Sequence, residues 1–122
     1  KLDDAVNFLA ARLAALLLVL SAGLTGENLP GAWRMWRRDR RRHASPNSAQ
    51  TESAMAGALG IQLGGPASYF GLVHDKPTIG DALREAEPGD IRRASRMLYA
   101  ASVLCLALLC GLRVFIIKGV SL

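Results

Sequence analysis

The sequence predicts an all-α architecture, a fragment of a polytopic integral membrane protein in which two membrane helices flank a cytoplasmic segment of helices and loops. Two facts of composition and one charge pattern predict it. Of the 122 residues, 51% are apolar, the mean hydropathy is +0.22, and the apolar residues are gathered into two runs instead of alternating with polar ones. The runs Ala5–Leu24 and Leu98–Ile117 hold twenty residues each, so a helical rise of about 1.5 Å per residue lets either cover roughly 30 Å of hydrocarbon. Between them lie most of the basic residues that make the formal charge +5. The chain therefore divides into residues 1–24, a helix with a polar start and the first membrane segment; 25–97, the cytoplasmic segment; and 98–122, the second membrane helix.

The second run is the cleaner of the two. Its one charge, Arg113, lies near an end where a long side chain reaches the interface. The first run contains Asn7 and Arg12, and its uninterrupted part, Leu13–Leu24, also suits a buried core helix. Lys1 is followed by Asp3 and Asp4 and the chain does not start with Met, so a signal peptide is not expected and the chain reads as a piece of a longer protein. Thr25–Gly31 (TGENLPG) predicts a linker. A short basic helix is expected over Ala32–Arg42, with six arginines against one aspartate between Arg34 and His43. Arg92, Arg93 and Arg96 crowd the start of the second run, so the positive-inside rule places residues 25–97 in the cytoplasm. Trp33 and Trp36 read as interfacial anchors. The arginines read as a topology signal with affinity for anionic lipid, or as binders of a phosphorylated substrate. Without interleaved stacking aromatics or a helix-turn-helix pattern they do not point to nucleic acid.

His43–Ser48 predicts a loop, because Pro46 disfavours helical geometry at Ser45 and the neighbouring polar residues prefer caps. Thr51 or Ser48 then caps a helix through Glu52–Leu63. Ala56, Gly60 and Gly64 recur at every fourth position there, a spacing that lets two helices approach closely. Gly64-Gly65-Pro66 ends that helix, Ala67–Val73 predicts a short strand or an interfacial hairpin, and Lys76–Asp81 a polar loop. Glu85-Ala86-Glu87-Pro88 starts the final helix with proline at its first position. Cys105 and Cys110 show neither zinc spacing nor a CxxC pair and read as small hydrophobes.

Chemistry-bearing residues gather in two places. Asp3 and Asn7 are spaced i,i+4 and Asp4 and Asn7 i,i+3, so three oxygen donors share one face of a helix just before the apolar run. A hard cation such as Mg2+ takes such donors, often together with substrate phosphates, while the plain alternative is an acidic helix start at the membrane surface. The second place is His43–Gly65, where polar side chains run directly into small residues. Walker, Rossmann, HExxH and GxSxG motifs are absent from the sequence.

Three motifs in order, KLDDAVNFLAARL, HASPNSAQTESAMAGALGIQLGG and KPTIGD, make the chain resemble the C-terminal part of the membrane proteins of cobalamin biosynthesis of the CobD/CbiB type, adenosylcobinamide-phosphate synthase. The first motif departs from the family pattern at Ala10, where proline is expected, and so lacks an expected helix breaker beside Arg12. The resemblance implies a multi-pass protein of the bacterial inner membrane whose N-terminal membrane region is not in this chain. It further implies ATP-dependent amide ligation, in which the free carboxylate of the corrinoid adenosylcobyric acid is joined to aminopropanol or its phosphate. A carboxylate is a poor electrophile, so ATP with Mg2+ would convert it to an acyl phosphate that the amine attacks, while a base takes the amine proton.

On that reading Asp3, Asp4 and Asn7 hold the metal and phosphate end, with Lys1 and Arg12 as charge partners. His43 or Glu52 accepts the proton. Ser45, Asn47 and Gln62 orient substrate polar groups, and Gly57, Gly60, Gly64 and Gly65 give backbone access. Lys76 and Asp81 complete the set. The expected partners are the corrinoid and amine substrates, membrane lipid and the N-terminal membrane region, with a homo-oligomer left open. The competing readings are a non-catalytic membrane sensor of the AmpE-like type and a lipid-binding anchor.

Overall fold

A computed structural model describes residues 2–41, 46–69 and 72–121, and side-chain surroundings within these except at residues 46, 48, 65–77 and 121. The element order is α1 (Leu2–Leu24), α2 (Leu29–Asp39), α3 (Pro46–Leu59), β1 (Leu63–Tyr69), β2 (Leu72–Ile79) and α4 (Gly89–Ser121). The framework is helical, as expected, and the hairpin is its one extended element among the described residues.

α1 runs unbroken through Ala10, the position of the missing proline. Gly26, at φ 80°, turns the chain after it. α2 starts at Leu29, earlier than the expected Ala32, because the Asn28 side chain accepts the Gly31 N–H at 2.9 Å and Pro30 sits in the first turn, where its missing N–H costs nothing. The expected linker is thereby shortened to a tight turn. α2 then runs antiparallel to α3: the Asn28 N–H donates to the Ala58 carbonyl at one end, and the Trp36 indole N–H to the Gln50 side-chain carbonyl at the other.

α3 corrects the expected boundaries at both ends. Pro46 opens it, so Asn47 and Ser48 are helical instead of belonging to a loop, and proline at a first helical position leaves no hydrogen bond unmade. His43 and Ser45 lie outside the described residues. The helix stops at Leu59 because Gly60 takes φ 71°, the left-handed cap that glycine adopts without a Cβ penalty. Gly64, Gly65 and Pro66 consequently belong to β1 and not to a helix end. The close helix approach is made by Gly57 against Gly31, where a Cβ on Gly57 would lie 2.2 Å from the Gly31 carbonyl oxygen. It is not made by the Ala56–Gly60–Gly64 spacing.

β1 and β2 pair antiparallel, from Tyr69 opposite Leu72 to Leu63 opposite Ile79, with an irregularity between Leu63 and Gly65 where Gly64 has φ 80°. Lys76–Ile79, expected in a loop, lies in β2. The main core joins Ala15, Leu18, Val19 and Ala22 of α1 to Ala32 and Trp36 of α2, Ala54, Ala58 and Leu59 of α3, Ile61, and Met97 of α4. The alanines keep the helices close, and Met97 fills the remaining gap between them.

α4 begins with a cap in which the Asp90 carboxylate accepts the Glu87 N–H at 2.7 Å, so Pro88 occupies the first helical position of the cap, ahead of the regular helix. Arg84 donates both to Asp90 and to the Leu59 carbonyl that α3 leaves free, and Arg93 pairs with Glu27. These bonds fix the start of α4 against the ends of α1 and α3. From Leu106 to Val120 every residue of α4 is exposed, as is every described residue of α1 before Ala11. The two helices therefore part toward that end. Both are long and apolar enough to cross a membrane; a third of α1's most apolar window is buried in the chain's own core and none of α4's.

Candidate functional site

Trp36 is the residue around which the candidate site is built. It is 4% exposed, which removes it from the interfacial role expected of it, whereas Trp33 is 42% exposed. Its helix face points it between α1 and α3. There the indole N–H donates to the Gln50 Oε1 at 2.7 Å, and the two tryptophan rings tilt against each other at 5.2 Å. Two guanidiniums lie over the Trp36 ring, Arg40 at 5.0 Å and Arg12 at 5.9 Å, and Arg12 also faces Phe8 at 5.4 Å. Arg37 lies over Trp33 at 5.8 Å. Aromatic faces attract such cations, but they do not cancel their mutual repulsion. Partial burial, then the positive charges of Arg12, Arg41 and Arg37, lower the Arg40 guanidinium from its ordinary value.

The next residue has the opposite character. Asp39 is fully buried, accepts the Gly80 N–H at 2.7 Å, and is held by Arg38 through two bonds of 2.7 and 2.8 Å. Arg38 reaches on to Asp81 at 2.8 Å, and these two carboxylates, Asp39 first, raise its pKa. Gly80 is there by necessity: its φ is 84°, and a Cβ on it would lie 2.6 Å from the Ile61 carbonyl oxygen. Gln62 donates a long bond of 3.5 Å to the Gly80 carbonyl.

The sequence-selected residues whose side chains are described fall into three groups. Arg12 and Asp81 lie against α2. Glu52 and Asn47 are half-buried on α3, and Gln62 is exposed just beyond it. Asp3, Asp4 and Asn7 are exposed on the outer turns of α1, with Asp4 about 12 Å along the axis from Arg12 at the standard helical rise. Lys1, His43 and Ser45 lie outside the described residues, and Gly64, Gly65 and Lys76 are placed by backbone alone, in the hairpin. Motif spacing did not select Trp36, Asp39, Arg40 or Gln50. One signal for them was present: a lone aspartate inside an arginine run is the residue that such a run would bury as a counter-charge.

Among the described residues no group of three His, Cys, Asp or Glu side chains is placed to hold a metal. The pair Asp3 and Asp4 with the Asn7 amide fits the way Mg2+ is commonly bound, by one or two carboxylates together with substrate phosphates, and does not fit a protein-only cage. The arginines at Trp36 carry the positive charge and the planar donor forks that bind phosphate oxygens.

The sequence model of the CobD/Cbib protein family matches residues 1–98, and the chain belongs to that family. It is 50% identical over 117 residues to the cobalamin biosynthesis protein CobD of Klebsiella pneumoniae, a match covering 96% of this chain and 37% of that protein. It is 52% identical over 116 residues to the cobalamin biosynthesis protein CbiB of Salmonella typhimurium, covering 92% and 36%. The CobD protein of Desulfotalea psychrophila is 47% identical over 119 residues, covering 98% and 36%. The chain thus spans little more than a third of the length of the curated relatives it matches. No solved structure matches it.

Proposed function

We propose that this chain supplies part of the active site of a membrane enzyme of cobalamin biosynthesis that joins aminopropanol or its phosphate to adenosylcobyric acid by ATP-dependent amide ligation. One observation carries the proposal beyond family membership: α2 gathers all three motifs. Arg12 of the first and Gln50 of the second meet on Trp36, while Gly80 and Asp81 of the third are bound by Asp39 and Arg38. Residues far apart in the chain are thereby held around one helix, as a multi-substrate site requires.

When bound, ATP and Mg2+ supply activation of the corrinoid carboxylate. In the proposal α1, packed on the core by its Ala15–Ala22 face, stays on the cytoplasmic side of the membrane, so that Asp3, Asp4 and Asn7 face that end, Glu52 or His43 accepts the amine proton, and Asn47, Gln62, Ser45 and Lys76 orient substrate. Glu52 is half-buried on α3, on the helix that carries the second motif. The protein is proposed to be multi-pass in the bacterial inner membrane with residues 25–97 cytoplasmic, as the arginines flanking both apolar runs support. The test is single alanine replacement of Asp3, Asp4, His43 and Glu52 in the complete enzyme reconstituted in membrane. Loss of ligation by about a hundredfold or more is expected at the base. Unchanged ligation in all four, or ATP turnover indifferent to corrinoid and amine, would overturn the reading in favour of a non-catalytic sensor.

A further inference from the structure

We propose that Arg12 and Arg40, displayed together on the buried ring of Trp36, form an anion site for a phosphate group. The assignment deepens the ligase reading and rests on it for the identity of the phosphate donor, a nucleoside triphosphate; the anion site itself stands on the geometry.

Three observations carry it. First, ion pairing sorts the arginines. Arg38, Arg84 and Arg93 each grip a carboxylate, whereas among the described residues Arg12 and Arg40 belong with the arginines that pair with none, and of these they are the two that share the Trp36 ring. Second, the two are brought together from different elements, the middle of α1 and the end of α2, at a cost in like-charge repulsion that distance would relieve. Long side chains at a protein surface are free to turn away from each other; these two are instead gathered on one aromatic ring. Third, the ring is locked. Trp36 is buried, its N–H is held by Gln50, and Trp33 backs it, so the guanidiniums rest on a rigid platform. The guanidinium carbons of Arg12 and Arg40 lie 5.9 and 5.0 Å from the ring centroid, and each side chain carries the planar donor fork that grips phosphate oxygens in pairs. Arg12 strengthens the case from the sequence side, since it stands within an apolar run where a charge is costly unless a partner offsets it.

Phosphate could come from a soluble polyphosphate or from a lipid headgroup, and the test separates them. The complete protein is placed in nanodiscs of phosphatidylcholine and titrated with inorganic tripolyphosphate by calorimetry; parallel nanodiscs contain phosphatidylglycerol. Arg12→Ala and Arg40→Ala should each weaken tripolyphosphate binding by about tenfold or more, and Arg40→Lys by less, with binding falling as salt rises. Thermal melting of each variant identifies misfolded protein, and the Lys variants of both residues keep the test usable if an Ala variant fails to fold. If anionic lipid competes with tripolyphosphate in the unsubstituted protein only, the site stands and also accepts headgroups. Binding that is unaffected by substitution at Arg12 and Arg40 overturns the site. Failure of ligation alone does not, because tripolyphosphate binding is read without the reaction.

Discussion

Gly57 meets Gly31 so closely that α2 and α3 are in backbone contact, and this contact sets the spacing of the whole Trp36 platform. Gly57→Ala must push the helices apart, since the opposing atom is backbone and has no rotamer to change. A loss of stability of about 1–3 kcal/mol is expected by denaturant unfolding in detergent; an unchanged midpoint would show that the helices separate without cost. Asp39 makes a second prediction. Asp39→Asn keeps the volume but weakens three charge-assisted bonds and sets an amide N–H2 against Arg38 or Gly80, so about 2 kcal/mol of stability should go. Amide exchange at Gly80 should rise before global unfolding, and equal protection in both proteins would refute the anchoring role. The lone aspartate was visible in the sequence. Its partner was not, because nothing in a run of arginines tells which one faces it.

The boundaries of α3 show how one residue redirects an element. The alternation of small residues from Ala56 to Gly64 has the spacing of a close-packed helix, but Gly60 adopts a left-handed conformation and ends the helix before the pattern completes. Gly64 then serves an irregular strand pairing, a role that the same residue type fills as readily. α4 carries the pH dependence. Arg84, then the Glu87 N–H, lower the Asp90 carboxyl from 3.8 to about 2. A carboxylate whose folded pKa is depressed stabilises the fold above its unfolded pKa and loses that contribution as pH falls through the folded one. The anchoring of α4 to α3 should therefore weaken between about pH 4 and pH 2. Asp90→Asn should be less stable at neutral pH and should flatten that part of the profile; parallel profiles for the two proteins would contradict the assignment.

For the molecule as a whole, α4 has an anchored start and a bare apolar length sufficient to cross a membrane, while α1 divides its surface: its Ala15–Ala22 face is core and its Leu13, Leu16, Leu20 and Leu24 face is open. In the proposed topology, and in a background with Cys105 and Cys110 replaced by serine, Ser95→Cys should react with an impermeant maleimide only from the cytoplasmic side, and Lys118→Cys only from the other. Labelling of both from one side would end the spanning assignment for α4. The parting of α1 from α4 beyond Ala11 and Leu106 leaves Asp3, Asp4 and Asn7 uncovered in this chain, beside a family whose matched members are nearly three times as long. Composition and motif order were enough to establish the helical class, the two apolar runs and the family, because bulk hydropathy and the linear order of motifs are properties of the chain before it folds. The role of α2 was not of that kind. Whether an arginine grips a carboxylate or rests unneutralised on an indole depends on the direction in which each side chain leaves its helix and on what a second helix, brought within glycine contact, presents to it.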